Sequence, residues 1–400
     1  MRILHIIPYF YPAWAYGGTC RAAWELARAL VRKNQEVAVL TTDALDSHRR
    51  ADLRYEVVDG VEIFRVPNLS NHLAWDRLFL PLAFGSRLLK ELPRADIVHL
   101  HEYRSYQNAV AIGLLEKANM PFVLTPQGSV PRIMGRFAMK AVYDNWFGRR
   151  TLQNAARLHA LNELERQQFI DLHVPPERIS ILPNGVDLDE YRELPPVNSF
   201  RKEYNISEIA PVVLFLARIN KIKGVDFLIS AFEQVQKQVP DAVLLIVGPD
   251  DGYLTEVQRQ VAGLGLQEKV RFTGYLEGEK KLQAYLSADV YVLPSYYEMI
   301  AITLLESLAC GTPIIATDRC GLADYVRQHQ LGSIVNYGEV HTLCEEIVAT
   351  LQNPEKTRTR AIYGRQYVLE HFGWDSIAAN WLGVYRDCME DAEKKRSKRK

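Results

Sequence analysis

The sequence predicts an α/β protein built from two doubly wound, Rossmann-like domains. Its 400 residues are more than a single hydrophobic core usually organises. Short runs rich in β-branched residues alternate with stretches whose apolar residues recur at helical spacing, which is typical of parallel sheets covered by helices. The alternation stops near Pro195 and Pro196 and then starts again. We therefore predict one domain over residues 1–190 and a second over residues 191–373.

Composition describes a globular protein with no bulk preference for nucleic acid. Basic and acidic residues balance at 48 each, and 48% of the chain is hydrophobic. The five cysteines are odd in number and lack C-x-x-C spacing, which favours a reducing, cytoplasmic location. Pro8 and Pro12 interrupt the apolar start, so a first strand is expected rather than a signal peptide. No apolar run approaches the roughly 20 residues of a membrane span.

The first domain begins with a strand, a glycine turn and a helix. Gly17 and Gly18 follow an aromatic loop, and Thr19 is the predicted N-cap of the helix. Such a turn suits a phosphate group, but without a full G-x-G-x-x-G an ordinary tight turn is the alternative. The predicted strands of this domain cover residues 3–7, 37–40, 61–66, 97–100 and 122–125.

Two further features of the first domain carry chemistry. His99 and His101 point to the same face of a strand, but no other Cys, His or Asp falls at a supporting spacing, so a zinc site is disfavoured. Residues 132–157 are rich in basic residues, the first of which is Arg132, and they carry several aromatic side chains. They form either a solvated helix face with a core stripe, or a surface for anionic lipid or a diphosphate-linked acceptor.

The second domain repeats the alternation, with strands predicted at residues 212–216, 243–247, 270–274 and 288–295. Arg218 and Lys223 flank the loop after the first of these strands, and Gly224 precedes a helix over residues 225–239. Two cations at a helix N-terminus suit a diphosphate leaving group. Helices are expected at residues 342–351, 355–371 and 374–390, and the basic tail 391–400 is predicted to be disordered.

Two carboxylates in the stretch SYYEMIAITLLESLACGTP, residues 295–313, decide the functional interpretation. Glu298 lies on the predicted strand-to-helix loop, and Glu306 lies about one turn inside the helix. Loops at the carboxyl ends of strands form the ligand crevice of a doubly wound sheet. The first N–H groups of the helix are free to bind a diphosphate. Hydroxyl groups of a sugar and of a ribose are then the natural partners of the two carboxylates.

This stretch resembles the Glu-x7-Glu motif of the retaining glycosyltransferases of family four, which have the GT-B fold. The segments R-x4-K-G from Arg218, P-N-G-V-D from residue 183 and D-x-x-H-x-H from residue 96 also match the family. The resemblance covers nearly the whole chain and implies a cleft between two Rossmann-like domains, with residues 374–390 crossing back to the first. It implies that Glu298 contacts the donor sugar, that Glu306 holds the ribose, and that Arg218 and Lys223 stabilise the leaving group.

The resemblance also assigns the remaining site residues. Donor contacts fall on the helix start, the glycine turn and two loops, namely Ile300, Ala301, Ile302, Gly17, Gly18, Gln127 and Leu276. The acceptor cleft falls on His99, His101 and Arg132. Two departures stand out: Met299, Ile300 and Ala301 replace the usual Gly-Phe-Gly, and Gln127 replaces a His.

We therefore expect a retaining, metal-independent glycosyltransferase without a cofactor, which moves a hexose-type sugar from a UDP- or GDP-sugar. The expected acceptor is a glycan or a lipid-linked molecule of cell-surface polysaccharide or glycolipid synthesis. Contact with the anionic inner face of the cell membrane is allowed, and nucleic acid is not a partner. Asp187 and Asp189 form a D-x-D, which is interpreted as a structural turn rather than a metal site. The alternatives are a nucleotide-sugar 2-epimerase of the same fold and a catalytically silent sugar-nucleotide binder.

Overall fold

The computed structural model describes residues 1–131, 137–197, 200–299 and 302–397. The chain divides into two compact units: Met1–Gly185 together with Trp374–Lys400, and Val186–Gly373. Each unit has its own sheet and its own core. In the second unit, the N–H of Val186 donates to the carbonyl of Phe372 at 2.8 Å, which ties the start of the unit to its end.

The first unit contains an eight-stranded sheet with the order β3-β4-β2-β1-β5-β6-β7-β8. All neighbours are parallel except β3, which pairs antiparallel with β4. The strands are β1 (Arg2–Ile6), β2 (Glu36–Thr42), β3 (Tyr55–Val58), β4 (Val61–Val66), β5 (Ile97–His101), β6 (Phe122–Thr125), β7 (Arg157–Ala160) and β8 (Ile179–Ile181). The helices are α1 (Gly18–Arg32), α2 (Asn71–Trp75), α3 (Phe84–Glu91), α4 (Tyr106–Lys117), α5 (Phe137–Tyr143), α6 (Arg149–Asn154) and α7 (Glu163–Asp171).

The central strands β1 and β5 are buried throughout because helices cover both faces of the sheet. Helix α1 begins two residues earlier than the N-cap prediction placed it. Its first residue is Gly18, and Gly17 is the N-cap with φ +95° and no side-chain hydrogen bond. The prediction that Thr19 caps this helix is therefore wrong, because a glycine in an unusual backbone conformation makes the turn.

The second unit contains a six-stranded, fully parallel sheet with the order β11-β10-β9-β12-β13-β14. The strands are β9 (Val212–Leu216), β10 (Val243–Val247), β11 (Val270–Gly274), β12 (Val290–Leu293), β13 (Ile314–Thr317) and β14 (Ser333–Val335). The helices are α8 (Phe200–Glu203), α9 (Val225–Gln238), α10 (Leu254–Gly263), α11 (Gly278–Leu286), α12 (Ile302–Ala309), α13 (Ala323–Gln328), α14 (Val340–Gln352) and α15 (Pro354–His371). The order reverses between β9 and β12, so the loops after these two strands leave the sheet side by side.

The last helix, α16 (Trp374–Ser397), belongs to the first unit. Trp374, Trp381 and Tyr385 pack into the same apolar cluster as residues of β1 and α1. The prediction of a disordered tail is wrong for residues 391–397, because the helix continues through them. The carboxylate of Asp391 forms an ion pair with the guanidinium of Arg157 at 3.0 Å. Among the described residues, no helix is both long enough and apolar enough to cross a membrane.

Candidate active site

The loops at the carboxyl edge of the second sheet are bonded to one another through their backbones. The loop after β12 donates from the N–H of Tyr296 to the carbonyl of Ile222 in the loop after β9, at 2.8 Å. Glu298 pairs with the loop after β13: its N–H donates to the carbonyl of Arg319 at 3.1 Å, and its carbonyl accepts from Gly321 at 2.7 Å. Glu298 therefore has a fixed backbone position at the switch point of the sheet.

The carboxylate of Glu298 forms an ion pair with the Nζ of Lys223, which comes from the loop after β9. The two side chains are only 15% and 17% exposed, so water screens the pair less than it screens a surface ion pair. Two residues 75 positions apart in sequence thus meet at one edge of the sheet. The arrangement brings a cation and a hydrogen-bond acceptor together at the mouth of a parallel sheet.

The position of Lys223 depends on Gly224, which has φ +67° and is the N-cap of α9. A Cβ at this position would lie 2.1 Å from the carbonyl oxygen of Pro294, in the strand end that leads to Glu298. Only glycine allows both this backbone conformation and this approach. The glycine therefore brings the two loops close enough for Lys223 to reach Glu298.

Arg218 lies on the same loop but has a different partner. Its guanidinium donates to Asp251 at 2.6 Å, and the side-chain amide of Asn220 donates to the same carboxylate at 2.7 Å. The Arg218 side chain is 51% exposed, so this pair contributes little to stability. The exposed guanidinium remains close to the edge of the sheet and can exchange its carboxylate for another anion.

Glu306 lies on α12, four residues after the start of the described helix, and is 8% exposed. Its Oε1 accepts from the Nζ of Lys281 at 2.8 Å, and its Oε2 accepts from the hydroxyl of Tyr285 at 2.9 Å. Tyr191 also hydrogen-bonds to it. Burial, together with the charge of Glu306, raises the pKa of both tyrosine hydroxyls well above the usual value, so they stay protonated donors. These donors hold the carboxylate in one orientation.

The other predicted donor residues of this unit lie nearby in the fold or outside the described structure. Ile302 is the first described residue of α12 and is half-buried. Leu276 is half-buried on the loop between β11 and α11. Ile300 and Ala301, at the predicted helix start, lie outside the described residues, as does Arg132 of the first unit.

In the first unit, the loop after β6 carries Gln127, with φ +48°. The next residue, Gly128, donates its N–H to the carboxylate of Glu165 on α7 at 2.6 Å, and Leu161 donates to the other oxygen at 2.9 Å. Burial raises the pKa of Glu165 to about 7, although these two N–H donors oppose the shift. Glu165 thus fixes the loop that presents Gln127.

His99 and His101 stack on one face of β5, with ring centroids 4.2 Å apart, as the strand alternation predicts. They are 0% and 1% exposed. They are buried because β5 is a central strand and α16 covers it: the ring of Trp381 lies 4.6 Å from that of His99. Their role in lining the acceptor cleft stays a prediction. His101, His99 and Gln127 border a small pocket of the first unit.

Hydrogen bonds fix the protonation of His99. The carbonyl oxygen of Leu182 can only accept, so the Nε2 of His159 carries a proton; because burial keeps this ring neutral, its Nδ1 accepts from the hydroxyl of Thr125. Thr125 then accepts from the Nε2 of His99 at 2.6 Å, and the Nδ1 of His99 accepts from the hydroxyl of Tyr385 at 2.7 Å. Burial lowers the pKa of His159 to about 4 and that of His99 well below its usual value, so both rings of this hydrogen-bonded network are neutral.

His5 on β1 adds a third imidazole to the stacked pair, and its Nδ1 lies 2.9 Å from the Nε2 of His101. The three histidines are the group of described residues whose ligand atoms lie close enough for a metal ion. The ring of His101 stacks on those of His5 and His99, at 21° and 20°, and the rings of His5 and His99 are tilted by 40°. The 2.9 Å between the Nδ1 of His5 and the Nε2 of His101 is the length of a hydrogen bond, which joins the two rings directly. The geometry therefore suits a packed core better than a metal centre.

Asp187 and Asp189, the D-x-D of the sequence, lie in a turn, as the structural interpretation predicts. The side chain of Asp187 accepts from the N–H of Asp189 at 3.2 Å and caps a short 3-10 helix. Asp189 points outward and pairs with Arg192. The two carboxylates thus serve a turn.

Sequence reasoning missed Lys281, Tyr285 and Asp251 of the second unit, and His5 and Glu165 of the first. Lys281 and Tyr285 have helical spacing on α11, which suggests a shared face but no partner. Glu165 follows Asn162 at capping-box spacing, and Asn162 does cap α7 by accepting from the N–H of Glu165 at 2.9 Å. That signal was available in the sequence.

Comparison with known proteins identifies the class. The family model described as glycosyl transferases group 1 matches residues 197–367, and that of glycosyltransferase family 4 matches residues 16–190. Together the two models span most of both units. The chain belongs to the group 1 glycosyltransferases of family four, and its two Rossmann-like units have the GT-B architecture.

Individual relatives extend over almost the whole chain. An uncharacterized glycosyltransferase of Methanocaldococcus jannaschii is 25% identical, covering 96% of this chain and 98% of its own. The phosphatidyl-myo-inositol mannosyltransferase of Mycobacterium leprae is 28% identical, covering 98% and 99%. Among solved structures, HepE of Anabaena in complex with UDP and glucose has a TM-score of 0.76 at 18% identity, covering 96% and 99%. The last likeness concerns the fold alone.

Proposed function

We propose that this glycosyltransferase moves a hexose-type sugar from a nucleoside diphosphate donor to a hydroxyl group, with retention of the anomeric configuration. The observation that carries the proposal is the placement of Lys223, Glu298 and Glu306 at one carboxyl edge of the second sheet. A donor of this class presents a ribose, a diphosphate and a sugar in that order. Each of these parts has a matching group at the edge.

The diphosphate is the part that gains negative charge as the glycosidic bond breaks. Lys223 is next to the N-terminus of α9, where the helix dipole adds positive potential, and Arg218 is on the same loop. These groups stabilise the departing diphosphate more than the intact donor, and such differential binding accelerates the reaction. When Lys223 turns to the phosphate, Glu298 is released to accept hydrogen bonds from the sugar hydroxyls.

Retention follows if the acceptor hydroxyl attacks from the face that the diphosphate leaves. The departing phosphate oxygen then accepts the proton of the acceptor, and no protein base is required. Gln127 suits such a mechanism, because an amide can orient a sugar by hydrogen bonding but cannot take up a proton. The same two cations supply the charge that a metal ion would supply elsewhere, so we propose that the reaction needs neither a metal nor another cofactor.

The acceptor is a glycan or a lipid-linked molecule in the synthesis of cell-surface polysaccharide or glycolipid. The relative from Mycobacterium leprae, whose name states a phosphatidyl-inositol acceptor, supports the lipid-linked class. Such an acceptor would be met at the anionic inner face of the cell membrane.

A thermal-shift screen of UDP-, GDP- and ADP-sugars tests the donor class, and NMR of the product made from the stabilising donor tests the stereochemistry. We expect one nucleotide class to raise the melting temperature and the product to keep the donor's anomeric configuration. An inverted product would refute the same-face mechanism. Binding without slow donor hydrolysis or transfer would favour the silent binder instead, and a product that is a new nucleotide sugar would favour the 2-epimerase.

A further inference from the structure

A helical segment of the first unit, residues 137–154, exposes an apolar face. It consists of α5, one turn of π-helix (Asp144–Gly148) and α6, and it follows the loop at the carboxyl end of β6. At 1.5 Å per residue its 18 residues are about 27 Å long. One side of the segment faces the unit and the other faces solvent.

The inner side is held by specific contacts. The guanidinium of Arg104 makes two hydrogen bonds to the carboxylate of Asp144, at 2.7 and 2.8 Å, and both side chains are at most 13% exposed. The hydroxyl of Tyr143 donates to the carbonyl of Ser105 at 2.9 Å. A Cβ on Gly148 would lie 2.4 Å from the hydroxyl of Tyr103, so the backbone itself touches the unit there. The orientation of the segment is therefore determined, and its outer side is presented to solvent in a fixed way.

The outer side carries Met139, Val142 and Trp146 at i, i+3 and i+7, which places them on one face of a helix. They are 50%, 59% and 73% exposed. Phe137 at the start of the segment is 59% exposed. Single exposed apolar residues are ordinary, but a contiguous row of large ones on a rigid helix indicates an interaction surface.

The charges of the segment are positive. Its basic residues are Lys140, Arg149 and Arg150, and the two arginines are exposed. Its one acidic residue, Asp144, is buried and engaged with Arg104. Arg150 pairs with Glu116 but keeps half of its surface in solvent. An apolar row with exposed Trp, flanked by cations and without an exposed carboxylate, is the pattern of a helix that lies in the plane of a membrane interface.

We propose that the face formed by Met139, Val142, Trp146 and Arg149 docks on an anionic lipid surface. The apolar row enters the boundary between headgroups and acyl chains, and the arginines contact lipid phosphates. A lipid surface with anionic headgroups repels carboxylates, which explains why this face exposes none; binding to another protein would not require that. The inference extends the proposed function, in which the acceptor is lipid-linked, by naming the surface that meets the lipid.

The test is co-sedimentation of the full chain with vesicles, with no donor or acceptor present, so that a failed docking surface is distinguished from a failed transfer reaction. Vesicles contain equal parts of phosphatidylglycerol and phosphatidylcholine, or phosphatidylcholine alone. We expect binding to the anionic vesicles. The variant Met139→Ser/Val142→Ser/Trp146→Ser should lower the partition coefficient at least about tenfold, since that factor equals the burial of about half of one large apolar side chain. Arg149→Glu should lower binding to anionic vesicles and leave the weak binding to neutral ones unchanged.

Two control variants make the result specific. Ile209→Ser/Ile362→Ser removes residues of the second unit that are 92% and 60% exposed, and it should bind like the parent. The first unit has a second group of exposed apolar residues, Leu73, Trp75 and Leu78, which could bind lipid instead. The variant Leu73→Ser/Trp75→Ser/Leu78→Ser tests this rival surface. No binding by the parent, equal losses in the control, or loss only in the rival variant would overturn the proposal. So would a dimer that the triple substitution at 139, 142 and 146 dissociates, since the face would then serve a second copy of the chain. If the triple variant unfolds, Trp146→Ser alone carries the same comparison.

Discussion

Glu298→Gln should bind free nucleoside diphosphate more tightly than the parent while transferring sugar more slowly. Without a donor, Lys223 is committed to the Glu298 carboxylate. A diphosphate that recruits Lys223 must first break this pair, and the cost reduces the observed affinity. Glutamine has a similar shape and leaves Lys223 without a charged competitor, so the cost largely disappears.

The structure bounds the size of the effect. Exposed ion pairs contribute about 0.2–1 kcal/mol, and pairs that are mostly buried contribute more when one partner is lost. With side chains 17% and 15% exposed, the Lys223–Glu298 pair should cost about 1 kcal/mol to break, which is roughly a fivefold change in Kd. Turnover should move the other way, because a hydrogen bond between the sugar and a charged group is worth about 1.5–3 kcal/mol, or roughly 10- to 150-fold in kcat.

Isothermal titration with the nucleoside diphosphate that the screen selects measures the affinity, and donor turnover measures kcat. Glu306→Gln is the matched control, since the same chemical change at the ribose position should weaken nucleoside diphosphate binding. If both glutamine variants lose affinity to the same extent, the separate roles of the two carboxylates are wrong.

Further predictions concern turnover, backbone geometry and pH. Lys223→Ala should lower kcat more than it raises KM, because its charge meets the leaving group mainly in the transition state, and EDTA should leave the parent rate unchanged; restoration of a lost rate by manganese would contradict this. Gly224→Ala should lower the free energy of unfolding by more than about 2 kcal/mol in chemical denaturation and should also impair turnover. Gly252 has positive φ but no neighbour within 4 Å, so Gly252→Ala should lose only the stability that the strained backbone conformation costs. Equal losses in the two variants would show that the close approach of Gly224 to Pro294 does not matter. The folded state holds His159 neutral down to about pH 4, whereas the unfolded chain takes up a proton below about pH 6.5, so stability is complete above that pH and falls as the pH drops towards 4. Calorimetry should show that His159→Gln loses about 3 kcal/mol less than the parent over this interval, and an unchanged pH profile would mean that His159 is already charged in the folded protein.

The sequence alone determined the class of fold and most strand positions. Residues 61–66, 122–125, 212–216, 243–247 and 270–274 are strands with the predicted limits. The clearest signals are the apolar runs 212–216 and 243–247, because parallel strands covered on both faces require such runs. It also placed Glu298 on a loop and Glu306 inside a helix, since Gly311 and Pro313 end that helix at a defined point. Local signals were weaker at the termini of elements: Gly17 rather than Thr19 caps α1, and α16 continues into a tail whose charge density predicted disorder.

Only the tertiary structure decided which of these residues meet. The order of strands in the sheet places β1 beside β5, so the ring of His5 lies 4.9 Å from that of His99, although 94 residues separate the two in sequence. In the same way, Lys281 on α11 reaches Glu306 on α12. Periodicity reports which face of an element is buried, but the partner across that face depends on crossover connections that leave no local trace. The physical reason is that a buried carboxylate or imidazole is stabilised by groups brought to it in space, and those groups are chosen by the fold as a whole.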